Sequence, residues 1–436
     1  MPGAPNIVYI HGHDIGRNVA PYGYAVETPA IQHLAQDGVL FRRAFSAAPT
    51  CSPSRAALLT GQSPHQTGML GLAHRGFSLT HPERHLAAVL SSHGLTAILA
   101  GEQHFTTGDP QELGYQHVTA TADTSVSVAA PAAADLIRSL RENGSAPFFL
   151  DIGFSEAHRP FHDIREEEAR YVRPPAPLPD AAETRLDTAG FHASIREFDR
   201  GVGIVLDALD RCDLTANTLV ICTTDHGPPF PGMKSTLTDH GLGVMLIVRG
   251  PCGFQGGRVY DGLASHLDIF PTICEVTGIE RPDWLEGGSL TEATKPNQSI
   301  RDDAYGEVTF HASYEPQRTI RTDRWRYIRR FGTMTTPTMP NIDESLSRDL
   351  LLENGLRTRS IAEEELYDCL FDPAQAHNLA ADPAFREIRG QLAGRLTHWM
   401  AETHDPLLMD TMPVPPGVLV NKATDLSPDD PLVSFW

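Results

Sequence analysis

No two of the six cysteines are spaced as C-x-x-C; they stand at 51, 212, 222, 252, 274 and 369. That spacing indicates neither a zinc knuckle nor a redox dithiol, and it does not resemble a disulfide framework. No run of about 18 or more apolar residues occurs, so a membrane-spanning helix is not expected. Positive charge is also short, with 35 Lys+Arg against 55 Asp+Glu and a formal net charge of -20 when the 20 histidines are neutral. A nucleic-acid groove, which binds phosphate backbones through surplus Lys and Arg, is thereby disfavoured. Met1 leads through a Pro/Gly stub straight into Asn6-Ile7-Val8-Tyr9-Ile10, without a basic n-region, a long apolar h-region or a cleavage site. A cytoplasmic protein is the resulting expectation. Internal repeats and low-complexity tracts are lacking as well.

What is present is an ordinary globular composition, 41% apolar and 21% charged over 436 residues, which is length for two or three domains and a buried active site. Up to about residue 300, short β-rich apolar runs alternate with longer helical patterns. The runs are 7–10, 97–99, 148–152, 219–223 and 245–248; helical spacing recurs over 28–36, 87–92, 132–141 and 194–209. That alternation predicts an α/β fold with a mostly parallel central sheet flanked by helices. The stretch 287–297 is rich in Gly, Ser, Thr, Pro and Asn and reads as a linker, dividing the chain into residues 1–297 and 298–436. The second part carries strand-like runs at 318–321, 324–330 and 365–368 and an amphipathic helix over 384–400, as a smaller α+β domain with an antiparallel sheet would. Residues 324–330 read as a strand with an exposed basic face, and the Pro-rich tail after His404 as a surface strap.

Polar residues stand directly after several predicted strands: His11 to Asp14, Glu102 to His104, Glu156 to His158, and Asp225 with His226. Ligands gather at the carboxyl ends of strands in open α/β sheets, so these clusters point to one shared site. A further feature is Cys51-Ser52-Pro53-Ser54-Arg55, running into an apolar stretch that ends in Leu58-Leu59-Thr60-Gly61. Pro53 suits the first helical turn, which puts Cys51 at or just before a helix N-terminus. Free N–H groups and the helix dipole there favour an anion, and Arg55 adds a fixed charge one turn along. Taken alone, a cysteine in this position is a small buried side chain, Asp225-His226-Gly227 is a common turn, and Lys234 is a solvated lysine.

Together these residues resemble the type I sulfatases of the alkaline-phosphatase superfamily, whose signature is C-x-P-S-R followed by L-L-T-G. The resemblance implies that Cys51 is oxidised to formylglycine by a formylglycine-generating enzyme. It hydrates to a geminal diol and attacks sulfur through one hydroxyl; deprotonation of the second expels sulfate. Asp14, Asp225, His226 and residue 51 would hold a divalent metal, calcium by resemblance, with Lys234 on the sulfate oxygens. His104 would act as acid or base and His158 as the acid that protonates the leaving group. Two positions depart from the pattern. His13 replaces the first of two adjacent aspartates, and because imidazole suits transition ions, zinc or manganese become candidates alongside calcium. Glu102 replaces a lysine on the sulfate, so it would either join the metal shell or serve as an acid/base.

The match extends over most of the chain. The segments Pro64-His65-Gln66-Thr67-Gly68-Met69-Leu70-Gly71-Leu72, Asp225-His226-Gly227-Pro228-Pro229-Phe230-Pro231, Glu365-Leu366-Tyr367-Asp368 and Trp399-Met400-Ala401-Glu402-Thr403-His404-Asp405-Pro406 are similar to the N-sulfoglucosamine sulfohydrolase branch of the family. By that resemblance His311 and Arg318 are candidates for contacting a sugar or an acidic group. The expected activity is hydrolysis of small anionic sulfate esters or sulfamates, including those of sulfated sugars. Two alternatives stand beside it: a phosphodiesterase or phosphonate monoester hydrolase on the same fold, and a silent relative that binds sulfated sugars.

Overall fold

The computed structural model of the chain describes residues 3–144, 147–295, 298–409 and 412–435. Its main sheet has nine strands: β1 (Asn6–Gly12), β2 (Val39–Phe45), β3 (Thr96–Gly101), β4 (His117–Thr119), β5 (Phe148–Gly153), β6 (Thr218–Thr224), β7 (Gly243–Val244), β8 (Leu246–Arg249) and β9 (Arg258–Ser265). They lie in the order β4-β3-β5-β1-β6-β8-β2-β7, with β9 on β2. The block from β4 to β6 is parallel, β8 runs antiparallel to both β6 and β2, and β9 is parallel to β2. The predicted mostly parallel sheet is therefore present. Strands β2, β4 and β9 were not among the predicted runs, because β2 carries Arg42 and Arg43 mid-strand and most of β9 is exposed or half-buried.

The central strands are apolar on both faces because both faces are covered. Ile7 and Tyr9 of β1, Phe149 of β5 and Ile221 of β6 enter one core with Leu58 and Leu59 of the Cys51–Thr60 helix. The alternating residues Val8, Ile10, Leu150 and Val220 enter a second core on the opposite face, against the Pro29–Asp37, Val126–Glu142 and Ala182–Arg211 helices. Glycine holds the strand ends close where the polar clusters emerge. A Cβ at Gly153 would collide with the Glu102 carbonyl oxygen, so β3 and β5 approach there only without one.

The second sheet is antiparallel, in the order β10 (Ala304–Phe310), β11 (Tyr314–Arg321), β12 (Trp325–Arg330), β13 (Glu364–Asp368), and the Arg386–Glu402 helix packs on it through Leu392, Leu396 and Met400. The expected boundary between residues 297 and 298 falls at Asn297, which lies outside the described residues. The basic strand is less open than expected: Arg326 is buried on Asp239, Arg330 pairs with Glu315 and Glu365, and exposed Arg324 pairs with Asp368. The tail lies over the surface as expected and is anchored there, since Val418 and Val420 enter the core and the Asn421 N–H donates to the Ala312 carbonyl. Among the described residues no helix is long and apolar enough to cross a membrane.

Arg318 locks this sheet to the end of the last helix. Its guanidinium is fully buried, donates to both oxygens of buried Asp405 and lies 3.5 Å from Glu307. Asp405→Ala removes the carboxylate that takes two of its hydrogen bonds, leaving Glu307 alone to answer the cation, and lowers unfolding free energy by about 3 kcal/mol in urea denaturation, whereas a surface pair would cost less than about 1 kcal/mol.

Candidate active site

The site forms where β1 and β6 end side by side, Gly12 opposite Thr224. The chain leaves β1 through Asp14, whose φ of 56° is a left-handed conformation that Asp tolerates. Its N–H donates to Asp225 Oδ1 at 2.9 Å, and the Ile15 N–H donates to Thr224 Oγ1 at 3.2 Å. The two turns are thus stitched together and their side chains converge. His226 Nδ1 donates to the Gly227 carbonyl at 2.9 Å, which turns Nε2 towards Asp14 Oδ1 at 3.2 Å and Cys51 Sγ at 3.4 Å.

Cys51 opens its helix as predicted, buried to 1% exposure. Burial raises its thiol pKa, against the pull of Lys234 and His226. Arg55, one turn on, is buried and points back under the strand ends. It contacts His11 Nδ1 at 2.5 Å and Asp225 Oδ2 at 3.2 Å and donates to the Gly12 carbonyl at 3.3 Å. His11 in turn lies 3.0 Å from Asp151 Oδ1, and the Tyr115 hydroxyl donates to Asp151 Oδ2 at 2.5 Å. Although burial works against its charge, His226, His13 and Arg55 hold the Asp225 carboxyl well below the usual carboxylate range.

Lys234 Nζ bridges Asp14 Oδ2 at 3.1 Å and Asp343 Oδ2 at 3.0 Å. Those two carboxylates overcome its burial and keep it firmly charged. His311 is buried close by; burial and Lys234 push its pKa down to about 3, so the ring is neutral, and its Nδ1 has no hydrogen-bond partner among the described residues.

A cavity of about 370 Å³ opens beside these groups, lined by His13, Glu102, His104, Glu156, His158 and Arg159 among others. The His104 and His158 rings stand 5.4 and 5.3 Å from that of His13. Burial and Arg55 lower the His104 pKa, which keeps it neutral and able to accept a proton. His158 is exposed and also lines an adjoining cavity of about 760 Å³ that reaches Asp343. Glu102 lines the wall, but its carboxylate accepts from Thr124 Oγ1 and the Gln103 N–H and is not among the converging ligand atoms. The metal-shell placement of Glu102 is therefore corrected. So is the substrate role of Arg318, whose donors are closed onto Asp405 and backbone carbonyls.

A group of donors suited to a cation is present. Ligand atoms of His13, Asp14, Cys51 and Asp225 all lie within 4.8 Å of one another. His13 Nδ1 stands 3.1 Å from Asp225 Oδ2 without hydrogen-bond geometry, and neither it nor Asp14 Oδ1 has a hydrogen-bond partner among the described residues. Buried polar atoms left open in this way and aimed at one point fit a metal ion. Burial and Arg55 push the His13 pKa well down, leaving its lone pair free.

Three residues of the site were missed by sequence reasoning. Asp151 could have been found, since a carboxylate within the apolar run 148–152 needs a buried partner. His74, whose ring stacks 5.8 Å from that of His104, and Asp343 carry no local signal.

The family profile described as Sulfatase matches residues 5–279, and that described as N-sulphoglucosamine sulphohydrolase, C-terminal, matches residues 233–344. The chain is 29% identical to the N-sulphoglucosamine sulphohydrolase of Homo sapiens, covering 91% of this chain and 89% of that protein. It is 28% identical to an ulvan-active sulfatase of Formosa agariphila, over 94% and 83% of the two chains. A solved structure of a protein in complex with its substrate D-glucosamine-2-N,6-O-disulfate shares the fold, with a TM-score of 0.71 at 17% identity over 92% of this chain and 98% of that one.

Asp343→Asn removes one of the two carboxylates that fix Lys234. With a charge-assisted contact of about 1.5–3 kcal/mol weakened, kcat/KM on an aryl sulfate falls about 10- to 100-fold. Steady-state kinetics read this, and a loss below twofold would show that Asp14 alone positions the lysine.

Proposed function

The chain belongs to the sulfatase family and is a sulfuric ester hydrolase, and we propose that it cleaves sulfate esters or sulfamates of sulfated sugars through a formylglycine formed from Cys51. The observation that carries this reading is the placement of residue 51: buried at a helix N-terminus, beside His226, within the charge field of Lys234, and among the converging ligand atoms of His13, Asp14 and Asp225. A divalent ion there would supply positive charge to lower the pKa of the attacking hydroxyl and to neutralise the sulfuryl oxygens. The donor set mixes imidazole nitrogen with carboxylate oxygen, which suits zinc or manganese better than calcium.

The chain's own residues divide the remaining work. Arg55, itself held by His11, keeps Asp225 in one orientation. Lys234, fixed by Asp14 and Asp343, sets a cation where the sulfate oxygens enter. His104, neutral and facing the cavity, takes a proton from the hydroxyl at residue 51. His158 stands where the cavities meet and gives a proton to the departing sugar oxygen or nitrogen. The 760 Å³ cavity beyond it, bounded by Asp343, Leu346 and Pro428, has room for the sugar. The similarity to the human enzyme supports glucosamine N-sulfate as the first substrate to test.

The decisive experiment is mass analysis of the peptide carrying residue 51, from protein co-produced with a formylglycine-generating enzyme, alongside rates on aryl sulfate, glucosamine N-sulfate and aryl phosphodiester. An aldehyde at residue 51 and faster turnover of the sulfated compounds are expected. An unmodified thiol in active protein, or preference for the phosphodiester, would refute the reading. His158→Ala should slow a sugar substrate by about 10²- to 10⁴-fold, yet leave p-nitrophenyl sulfate, whose leaving group needs no proton, much less affected. For the metal, Asp225→Ala should abolish stoichiometric binding, and His13→Ala should weaken zinc or manganese by about 100-fold or more, as read by equilibrium dialysis and elemental analysis. Full zinc occupancy in His13→Ala would remove His13 from the ligand set.

A further inference from the structure

Away from the catalytic centre, three guanidinium groups crowd one aromatic ring. The Cζ atoms of Arg17, Arg321 and Arg326 lie 4.6, 5.7 and 5.2 Å from the ring centroid of Phe45, which is buried at the end of β2. Among the described residues a single carboxylate contacts them: Asp239, 3.1 Å from Arg321 Nε and 2.7 Å from Arg326 Nε. Arg17 instead donates through Nη2 to the Ala44 carbonyl at 2.8 Å. Its buried Nε, like Nη2 of fully buried Arg326, has no hydrogen-bond partner among the described residues. The ring face attracts cations but brings no negative charge. Positive charge therefore exceeds negative charge at a place largely withdrawn from water, in a chain whose overall charge is -20. Buried charge without a counter-charge is costly, and that cost is relieved when an anion enters.

There is room for one. A cavity of about 370 Å³ is lined by Arg17, Asp239 and Arg321, with Arg42, Arg43 and Tyr24 also on its wall. Arg42 and Arg43 are answered by Asp261 and Asp323, which are 74% and 84% exposed and screen them weakly. None of the lining residues belongs to the two cavities at the catalytic centre.

We propose that this cavity is a second anion site, taking a small tetrahedral dianion: sulfate, the product this enzyme family releases, or phosphate, which shares its geometry and charge. Arg17 is the anchor, through the guanidinium that lines the cavity, and Arg43 closes the more exposed side.

The test uses the full-length protein and inorganic selenate as a heavy isostere of sulfate. In crystals soaked at low millimolar selenate, an anomalous selenium peak is expected in this cavity, within hydrogen-bond reach of the Arg17 guanidinium. In calorimetric titration with sulfate, the Arg17→Gln variant should lose one class of site, weakened by at least about tenfold, and Lys234→Met should lose the other. Phosphate should displace sulfate from the Arg17 site, and nitrate, a planar monoanion, should not. Added sulfate should also raise the melting temperature of the Lys234→Met protein more than that of an Arg17→Gln, Lys234→Met double variant, a readout that needs both only to fold. Arg43→Gln, on the outer wall, gives an independent severalfold weakening. Selenium at the catalytic centre alone, an Arg17→Gln isotherm equal to wild type, or displacement by nitrate as effective as by phosphate would each overturn the proposal.

Discussion

Arg55 is the group on which the geometry of the site depends. A guanidinium at 2% exposure is tolerable only if it is paired, and here its two terminal nitrogens are engaged by two different pieces of chain, His11 and Gly12 of β1 and Asp225 after β6. Because Arg55 sits one turn from Cys51, satisfying it places the start of the helix over the ends of two adjacent strands. The relay continues through His11 to Asp151 of β5 and Tyr115, so a third strand joins the constraint. What looks like an active-site arginine is also the pin that sets the register between a helix and the sheet, with residue 51 as the point so positioned.

The rest of the site is closed from the other side by the second sheet and the loops that follow it. Asp343 reaches Lys234 across a sequence gap of more than a hundred residues, and His311 stands at the turn between β10 and β11. Glu307 of β10 takes the His65 ring at 2.5 Å, and Arg318 of β11 ties Glu307 and Asp405 into the same buried group. The cation that would receive the sulfate is therefore oriented by both parts of the chain. A change in how the small sheet seats on the large one would be felt at Lys234 before it was felt at Asp225.

What could be read from the sequence was what is local. Residues 11–14, 102–104, 156–158 and 225–226 follow strands, and the sheet order brings those ends together; the Cys51 helix start follows from Pro53. What escaped depends on partners distant in the chain. Arg326 was read as an exposed face because nothing near it in sequence suggests Asp239, and Arg318 as a substrate contact because Asp405 lies on another element. Glu102 was given a metal because of the missing aspartate at position 13, whereas Thr124 and a backbone N–H already use its oxygens. The tail lies over the surface as its prolines suggest, but its anchors, Val418 and Val420 in the core, carry no local signal.

The burial of Cys51 also sets an order of events. Once β6 lies against β1 and the helix is docked, a side chain at 1% exposure, roofed by His226, is out of reach of any macromolecular catalyst. An enzyme that alters this residue must meet it on the nascent or unfolded chain, in the interval between synthesis of residue 51 and synthesis of the strand that covers it. Were residue 51 converted as proposed above, maturation and folding would compete for the same atom, and a chain that folds quickly would seal in an unconverted thiol. The fraction of active molecules would then reflect a race decided by the rate of translation, not an equilibrium of the finished protein.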